Sequence, residues 1–178
     1  EAVTLYGRDP TQIVEIRKTK QNQRYLPGFD LPEAIVPTDR LEAAATADCL
    51  ILAVPTQGLR AAATSLQPLL RPGVPVVAAA KGIEQASGAF VTAILAETLP
   101  FSPAAILSGP SFAADIVKGL PTAVTLAARD IALAGQLAAG LSAPGFRIYH
   151  TDDVTGVEIG GAAKNVLAIA AGIVVGAG

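Results

Sequence analysis

The chain alternates short apolar runs with amphipathic stretches, and this alternation predicts its elements. Val3-Thr4-Leu5-Tyr6 reads as a strand stopped by Gly7-Arg8-Asp9-Pro10. Residues 11–19 carry helical spacing, with Ile13 and Ile16 three apart and Val14 beside them. Residues 22–37, punctuated by Pro27-Gly28 and Pro32, read as a loop holding a short strand at Ala34-Ile35-Val36, and 41–47 as a short helix. The run from Cys49 to Val54 is continuously apolar and closed by Pro55, the pattern of a strand buried on both faces. A helix over 57–70 follows, with Leu59, Ala62, Ala63, Leu66 and Leu69 on one face.

The same grammar repeats downstream. Strands are predicted over 74–80, 104–107, 122–127 and 146–149, and helices over 89–99, 111–118 and 130–141. Ser111 is expected to cap the second of these helices, and a last helix begins near Asp152 and carries Lys164. Strands alternating with helices across short connections imply an α/β fold, a doubly wound sheet with helices on both faces. Charged and hydroxyl residues collect just after strand ends, where such sheets bind ligands.

Composition narrows the picture. The 178 residues are 51% hydrophobic but only 4% aromatic, so the core is built from Ala, Val, Leu and Ile, which suits a buried parallel sheet under helices. A net charge of −2 with mixed signs leaves no electrostatic footprint for nucleic acid. One cysteine, Cys49, excludes an internal disulfide framework, and with a single histidine, His150, no metal-ligand cluster is expected. A reducing, cytoplasmic setting fits. With no methionine in the chain, Glu1 is not expected to be a natural start. The segment 159–178 approaches bilayer-spanning length, but it holds Lys164 and is mostly Ala and Gly, so it reads as a globular helix rather than a stable membrane insertion.

Three stretches concentrate the chemistry: Ala80-Lys81-Gly82-Ile83-Glu84, Ser108-Gly109-Pro110-Ser111-Phe112-Ala113, and Gly160-Gly161-Ala162-Ala163-Lys164-Asn165. A lysine beside apolar surface is costly unless an anion or a reacting group meets it there. Lys81 follows a strand directly, so its ammonium projects at the carboxyl edge of the sheet; the plain alternative is a solvated loop lysine. Gly109 allows close backbone approach, and Pro110 and Ser111 sit where a helix start exposes amide donors to an anion. Lys164 is the sole charge between Glu158 and the chain end, with small neighbours that permit close packing. Such packing would lower its proton affinity toward neutral pH, whereas a lysine snorkelling into water would keep it. Asn165 beside it is a candidate partner.

In order along the chain, these stretches resemble the NAD(P)-dependent glycerol-3-phosphate dehydrogenases, especially the bacterial type. The likeness also takes in Gly7-Arg8-Asp9-Pro10, Tyr25-Leu26-Pro27-Gly28, Leu52-Ala53-Val54-Pro55-Thr56, Gly119-Leu120-Pro121-Thr122-Ala123 and Gly156-Val157-Glu158. The resemblance implies a Rossmann-type dinucleotide-binding domain over 1–151, whose first strand and glycine-rich loop would lie before Glu1, and the start of a helical substrate domain over 152–178. It implies hydride transfer between NADP or NAD and a small-molecule phosphate, dihydroxyacetone phosphate, giving sn-glycerol 3-phosphate for phospholipid synthesis. By the same resemblance Lys164 is the catalytic acid/base and also touches substrate, Lys81 touches substrate and cofactor, Gly109 and Ser111 touch substrate, and Arg8, Tyr25 and Ala113 touch cofactor. An arginine at Arg8 suits the 2′-phosphate of NADP, where an acid would suit the 2′-hydroxyl of NAD; the alternative is a turn arginine beside Asp9.

With half of a cofactor site and no downstream phosphate-binding domain, these 178 residues alone are expected to bind dinucleotide weakly and to be inert. A hydroxyacid dehydrogenase of the same broad group and a non-catalytic module remain the competing expectations, and homodimerisation is left open.

Overall fold

The computed structural model describes residues 2–177, leaving aside the side chain of Asn165. The chain opens with β1 (Val3–Tyr6) and α1 (Pro10–Thr19). Asp9 caps α1, its Oδ1 accepting from the amides of Thr11 at 3.0 Å and Gln12 at 3.4 Å, and Pro10 takes the first helical position, where no amide is missed. Ile13 and Ile16 are buried on its inner face.

The segment read as a loop holds a hairpin instead. β2 (Gln21–Asn22) pairs antiparallel with β3 (Leu26–Asp30), before β4 (Ile35–Thr38) joins β1 in parallel. The β2 partners jump from Asp30 to Leu26, leaving Pro27 and Gly28 opposite the irregularity. That is a place where proline's missing donor costs nothing. Then follow α2 (Leu41–Ala44), β5 (Leu50–Leu52), α3 (Thr56–Leu66), β6 (Val76–Ala78), α4 (Val91–Thr98), β7 (Ala104–Ser108), α5 (Ala113–Val117), β8 (Thr122–Ala128), α6 (Ile131–Leu141), β9 (Phe146–Thr151) and α7 (Val154–Gly176).

The strands β5-β6-β7-β8-β9 form one sheet in that order. β5, β6 and β7 run parallel, while β8 runs antiparallel to β7 and carries β9 parallel to itself. Helix length explains the reversal. At about 1.5 Å per residue α5 covers roughly 7.5 Å, less than half of the five-residue β7, so it cannot return the chain along the strand for a parallel crossover. Among the described residues the β1–β4 pair is not hydrogen-bonded to this sheet, and β1 and β5 each keep one unpaired edge.

Side-chain alternation splits the core between two faces. Val76, Ala78, Ile106 and Ala127 join Leu59, Ala63, Ile94 and Leu95 of α3 and α4. Val77, Ala105, Val124 and Leu126 join Ala134 and Ala138 of α6 on the other side. All three residues of β6 are fully buried, as a strand covered on both faces must be. α7 starts on the α3/α4 face, where Val154 and Val157 pack against the core. Its later residues Val166, Leu167, Ile169, Ile173, Val174 and Val175 are exposed. Among the described residues no single helix is long and apolar enough to cross a membrane, although Val154–Lys164 and Val166–Gly176 taken together would be by length and composition.

Candidate active site

The site forms where β6 and β7 end and β8 begins. The loop after β6 is fixed from beneath by α3. The hydroxyl of Thr56 donates to the Lys81 carbonyl at 3.0 Å, and the Gln57 side chain donates to Ile83 O at 2.9 Å while accepting from Gln85 N at 3.0 Å. Arg60 grips the buried Glu84 through Nε and Nη2 at 2.9–3.1 Å and reaches Glu97 Oε2 at 2.7 Å. Hydrogen bonds from Arg60, then from Ser87, hold the Glu84 carboxyl below its ordinary range.

Held this way, Lys81 reaches across to the next strand end, where its Nζ donates to Gly109 O at 2.7 Å. Gly109 has φ of 149°, and a Cβ there would stand 2.9 Å from Val124 Cα, so both conformation and space require glycine. Ser111 Oγ makes a long 3.4 Å bond to the same carbonyl. The expected Ser111 cap is not what forms. α5 begins one residue later, after Phe112, with no side-chain cap, because Ser111 faces back toward Gly109. Lys81, Ser108 and Ser111 line a cleft of about 410 Å³ with Ala79, Leu107, Ile116, Val124 and Phe146.

α7 closes one side. A Cβ on Gly161 would lie 2.8 Å from Ser108 Oγ and 3.6 Å from Lys81 Cγ, so this helix backbone touches the site directly. One turn on, Lys164 is exposed, which matches the solvated of the two alternatives for it. Its Nζ stands 5.9 Å from the Phe112 ring centroid, within cation–π reach. Burial falls on Lys81 instead, and its ammonium pKa is lowered first by desolvation and then by the charge of Lys164. Among the described residues neither lysine forms an ion pair with a carboxylate.

Lys81, Gly109, Ser111 and Lys164 are therefore gathered around one turn. Ala113 is exposed at the start of α5, which contacts β3 of the hairpin. Arg8 is exposed between β1 and α1, and Tyr25 is exposed beneath the Arg24 guanidinium at 5.2 Å. Asp9 is engaged with the α1 amides and with Arg24 at 3.8 Å, and among the described residues no ion pair joins it to Arg8. Sequence reading missed Arg60 and the ring of Phe112; a lone arginine on an amphipathic helix carries no signal of a carboxylate 24 residues away. Among the described residues no group of His, Cys, Asp and Glu could hold a metal ion.

A parallel-rich sheet with helices on both faces and its polar groups gathered past the strand ends places the chain in the class of Rossmann-type dinucleotide-binding domains, although the described strands of the main sheet run in sequential order without the reversal expected of a doubly wound sheet. The family model for the NAD-dependent glycerol-3-phosphate dehydrogenase N-terminus matches residues 1–134, and that for the C-terminus of the same family matches 153–178. The chain belongs to the NAD-dependent glycerol-3-phosphate dehydrogenase family. It is 56% identical over 174 residues to the glycerol-3-phosphate dehydrogenase (NAD(P)+) of Bradyrhizobium sp. (strain ORS 278), covering 98% of this chain and 53% of that protein. It is 53% identical over 175 residues to the protein of the same name from Azorhizobium caulinodans, with the same coverage of 98% and 53%. Among solved structures, glycerol-3-phosphate dehydrogenase from Coxiella burnetii superposes with a TM-score of 0.89 at 32% identity, over 97% of this chain and 53% of that one. The chain spans about half the length of the curated relatives it matches.

Proposed function

We propose that this protein catalyses reversible hydride transfer between NAD(P)H and dihydroxyacetone phosphate, giving sn-glycerol 3-phosphate for phospholipid synthesis. The observation that carries this is the meeting of two lysines at the Ser108-Gly109 turn: Lys81 Nζ donates to Gly109 O at 2.7 Å, and α7, which carries Lys164, packs against Ser108 and Lys81 at Gly161. Two cations without a carboxylate partner among the described residues are relieved by an anionic ligand, which a small phosphate ester provides. The names of the relatives point to the same substrate.

The residues present fit the adenosine end of the cofactor. Arg8 is exposed at the end of β1, and Asp9 is occupied elsewhere, which leaves the guanidinium for a 2′-phosphate. Tyr25, just before β3, and Ala113, at the start of the α5 helix that contacts β3, are read as further cofactor contacts. When bound, the nicotinamide supplies or accepts the hydride at the substrate C2. Lys164 gives a proton to the C2 oxygen during reduction and takes it back during oxidation. Lys81, pinned through its own carbonyl and Gly109, holds negative charge in place, and Ser111 orients the substrate from the cleft wall.

We read residues 1–151 as the cofactor-binding domain and 152–178 as the start of the substrate domain, a division supported by family matches ending at 134 and beginning at 153. A cytoplasmic setting is in keeping with a free Cys49. The test is NADPH oxidation by the intact protein with dihydroxyacetone phosphate and, separately, with a small 2-oxo acid such as pyruvate. Turnover is expected only with the phosphate ester; turnover only with the 2-oxo acid overturns the proposal.

A further inference from the structure

Glu158 is 5% exposed, and its Oε1 accepts a 2.8 Å hydrogen bond from the backbone amide of Thr92, 66 residues earlier in the chain. Thr92 lies in the first turn of α4, whose N-cap residue Phe90 offers no side-chain acceptor. α7 thus supplies from outside the cap that α4 lacks. Burying a carboxylate is costly unless donors meet it. Here the free amides of a helix start and the positive end of its dipole do so, and among the described residues no cation pairs with Glu158.

Glu158, Gly161 and Lys164 recur every three residues, so they form a stripe that drifts by about 60° per step along α7. The first position is tied to α4 by a directional bond, and at the second an added Cβ would stand 2.8 Å from Ser108 Oγ and 3.6 Å from Lys81 Cγ. Gly161 sets how near α7 comes, but contact between smooth surfaces does not stop a helix from sliding or turning. A hydrogen bond with fixed distance and angle does.

We infer that Glu158 is a positioning residue for Lys164: by capping α4 with its carboxylate it fixes the rotation and axial register of α7, and thereby the place of the Lys164 ammonium relative to Lys81. This role presupposes that Lys164 is the acid–base group proposed above. Lys164 stands six residues, roughly 9 Å of helix, beyond the tether, and a misplacement of ~1 Å is enough to cost about 10²-fold in rate.

The experiment uses the intact protein with Glu158→Gln, Glu158→Leu and Glu158→Asp, beside Lys164→Ala. It reads Thr92 amide hydrogen exchange by NMR together with kcat and KM. Glu158→Gln keeps a carbonyl oxygen at the same reach, so Thr92 should stay protected and most of kcat should survive. Glu158→Leu fills the space without an acceptor. Thr92 exchange should accelerate at least ~10-fold and kcat should fall ~10–10²-fold, with KM changed less than about threefold. If Glu158→Leu does not fold, Glu158→Asp, which keeps the charge but retracts it, should show the same changes in weaker form. Normal kcat in the folded Leu variant, or in the Asp variant should Leu not fold, overturns the positioning role, as does a Gln variant as impaired as Leu. Lys164→Ala separates the two ideas. Undiminished kcat there removes the acid–base proposal, whereas an inactive Lys164→Ala beside a fully active Glu158→Leu removes the positioning role alone.

Discussion

The Lys81 ammonium donates to the Gly109 carbonyl oxygen at 2.7 Å, tying the loop after β6 to the turn after β7. The bond aims the ammonium across the mouth of the cleft while leaving two of its three donors for a ligand. It also depends on a backbone that only glycine adopts easily, so the charge at Lys81 and the conformation of Gly109 are one device.

Gly109→Ala tests that device from the backbone side. Alanine at φ of 149° is strained, and its Cβ would collide with Val124 Cα at 2.9 Å, main chain that cannot swing aside. A loss of about 3 kcal/mol is expected from the strain and the shift of β8. Urea unfolding with an unchanged m-value would measure it; a variant as stable as wild type would mean that the turn relaxes freely.

Lys164→Ala should raise the Lys81 pKa, because the Lys164 charge is the second cause of its depression and desolvation, the first, stays. The lysine Cε resonance followed through a pH titration reports this directly, and so does the rise expected when inorganic phosphate binds. The sign for stability follows from linkage. A lysine with a lowered folded pKa destabilises the fold fully at pH values below that pKa. The cost is relieved as pH rises through it toward the ordinary 10.5, where both states become neutral. Removing Lys81 by Lys81→Met should therefore flatten the rise of stability in that alkaline window.

Arg60→Leu should loosen the loop that carries Lys81. Glu84 would lose its bidentate partner, and the largest cause of its depressed pKa would go with it. In the wild type the stabilisation from Glu84 is complete above the ordinary carboxyl value of 4.5 and is lost as pH falls through the lower folded value. Without Arg60 the loss should begin at higher pH, so the acid-unfolding midpoint moves up. Circular dichroism against pH would show it, and an unmoved midpoint would mean that Ser87 alone holds Glu84.

Arg8→Asp should shift the cofactor preference of the intact protein toward NADH. The substitution removes an exposed guanidinium suited to a 2′-phosphate and places an acid suited to a 2′-hydroxyl. The ratio of kcat/KM for the two cofactors is the measurement. An unchanged ratio would show that Arg8 does not read the ribose.

The fold was legible where pattern and burial agree. Val76-Val77-Ala78 is apolar at every position because helices cover both faces of β6, and that is what its sequence announces. The β2–β3 hairpin was not legible, since Pro27 and Gly28 interrupt the alternation at an edge that tolerates them. At the site, strand-end residues such as Lys81 and Gly109 could be found from local grammar. Partners joined by folding alone could not: Arg60 meets Glu84 from 24 residues away, and Thr92 meets Glu158 from 66. For Lys164 the small neighbours left burial and exposure both open, and the structure shows exposure.

Lys164→Ala should cost the most chemistry of any single substitution. In the proposed reaction the substrate oxygen would gain charge as hydride reaches C2 and would need a proton from a positioned acid, and oxidation would need a base at the same place. Lys81 is the less suited of the two lysines. Its Nζ is committed to the Gly109 carbonyl, its backbone is pinned by Thr56, and its loop is clamped by Arg60 and Glu84, so it holds charge at a fixed point. Lys164 is exposed on α7, its Nζ 5.9 Å from the Phe112 ring centroid, and is not tied to a backbone carbonyl among the described hydrogen bonds. The expected outcome in the intact protein is a ~10²–10⁴-fold fall in kcat for Lys164→Ala with little change in cofactor affinity. Lys81→Ala should raise the KM for the phosphate substrate as well as lower kcat. Steady-state kinetics on both variants, with circular dichroism to verify folding, decides between them. A folded Lys164→Ala with near-normal kcat would transfer the acid–base role to Lys81, whose lowered pKa already equips it to lose a proton.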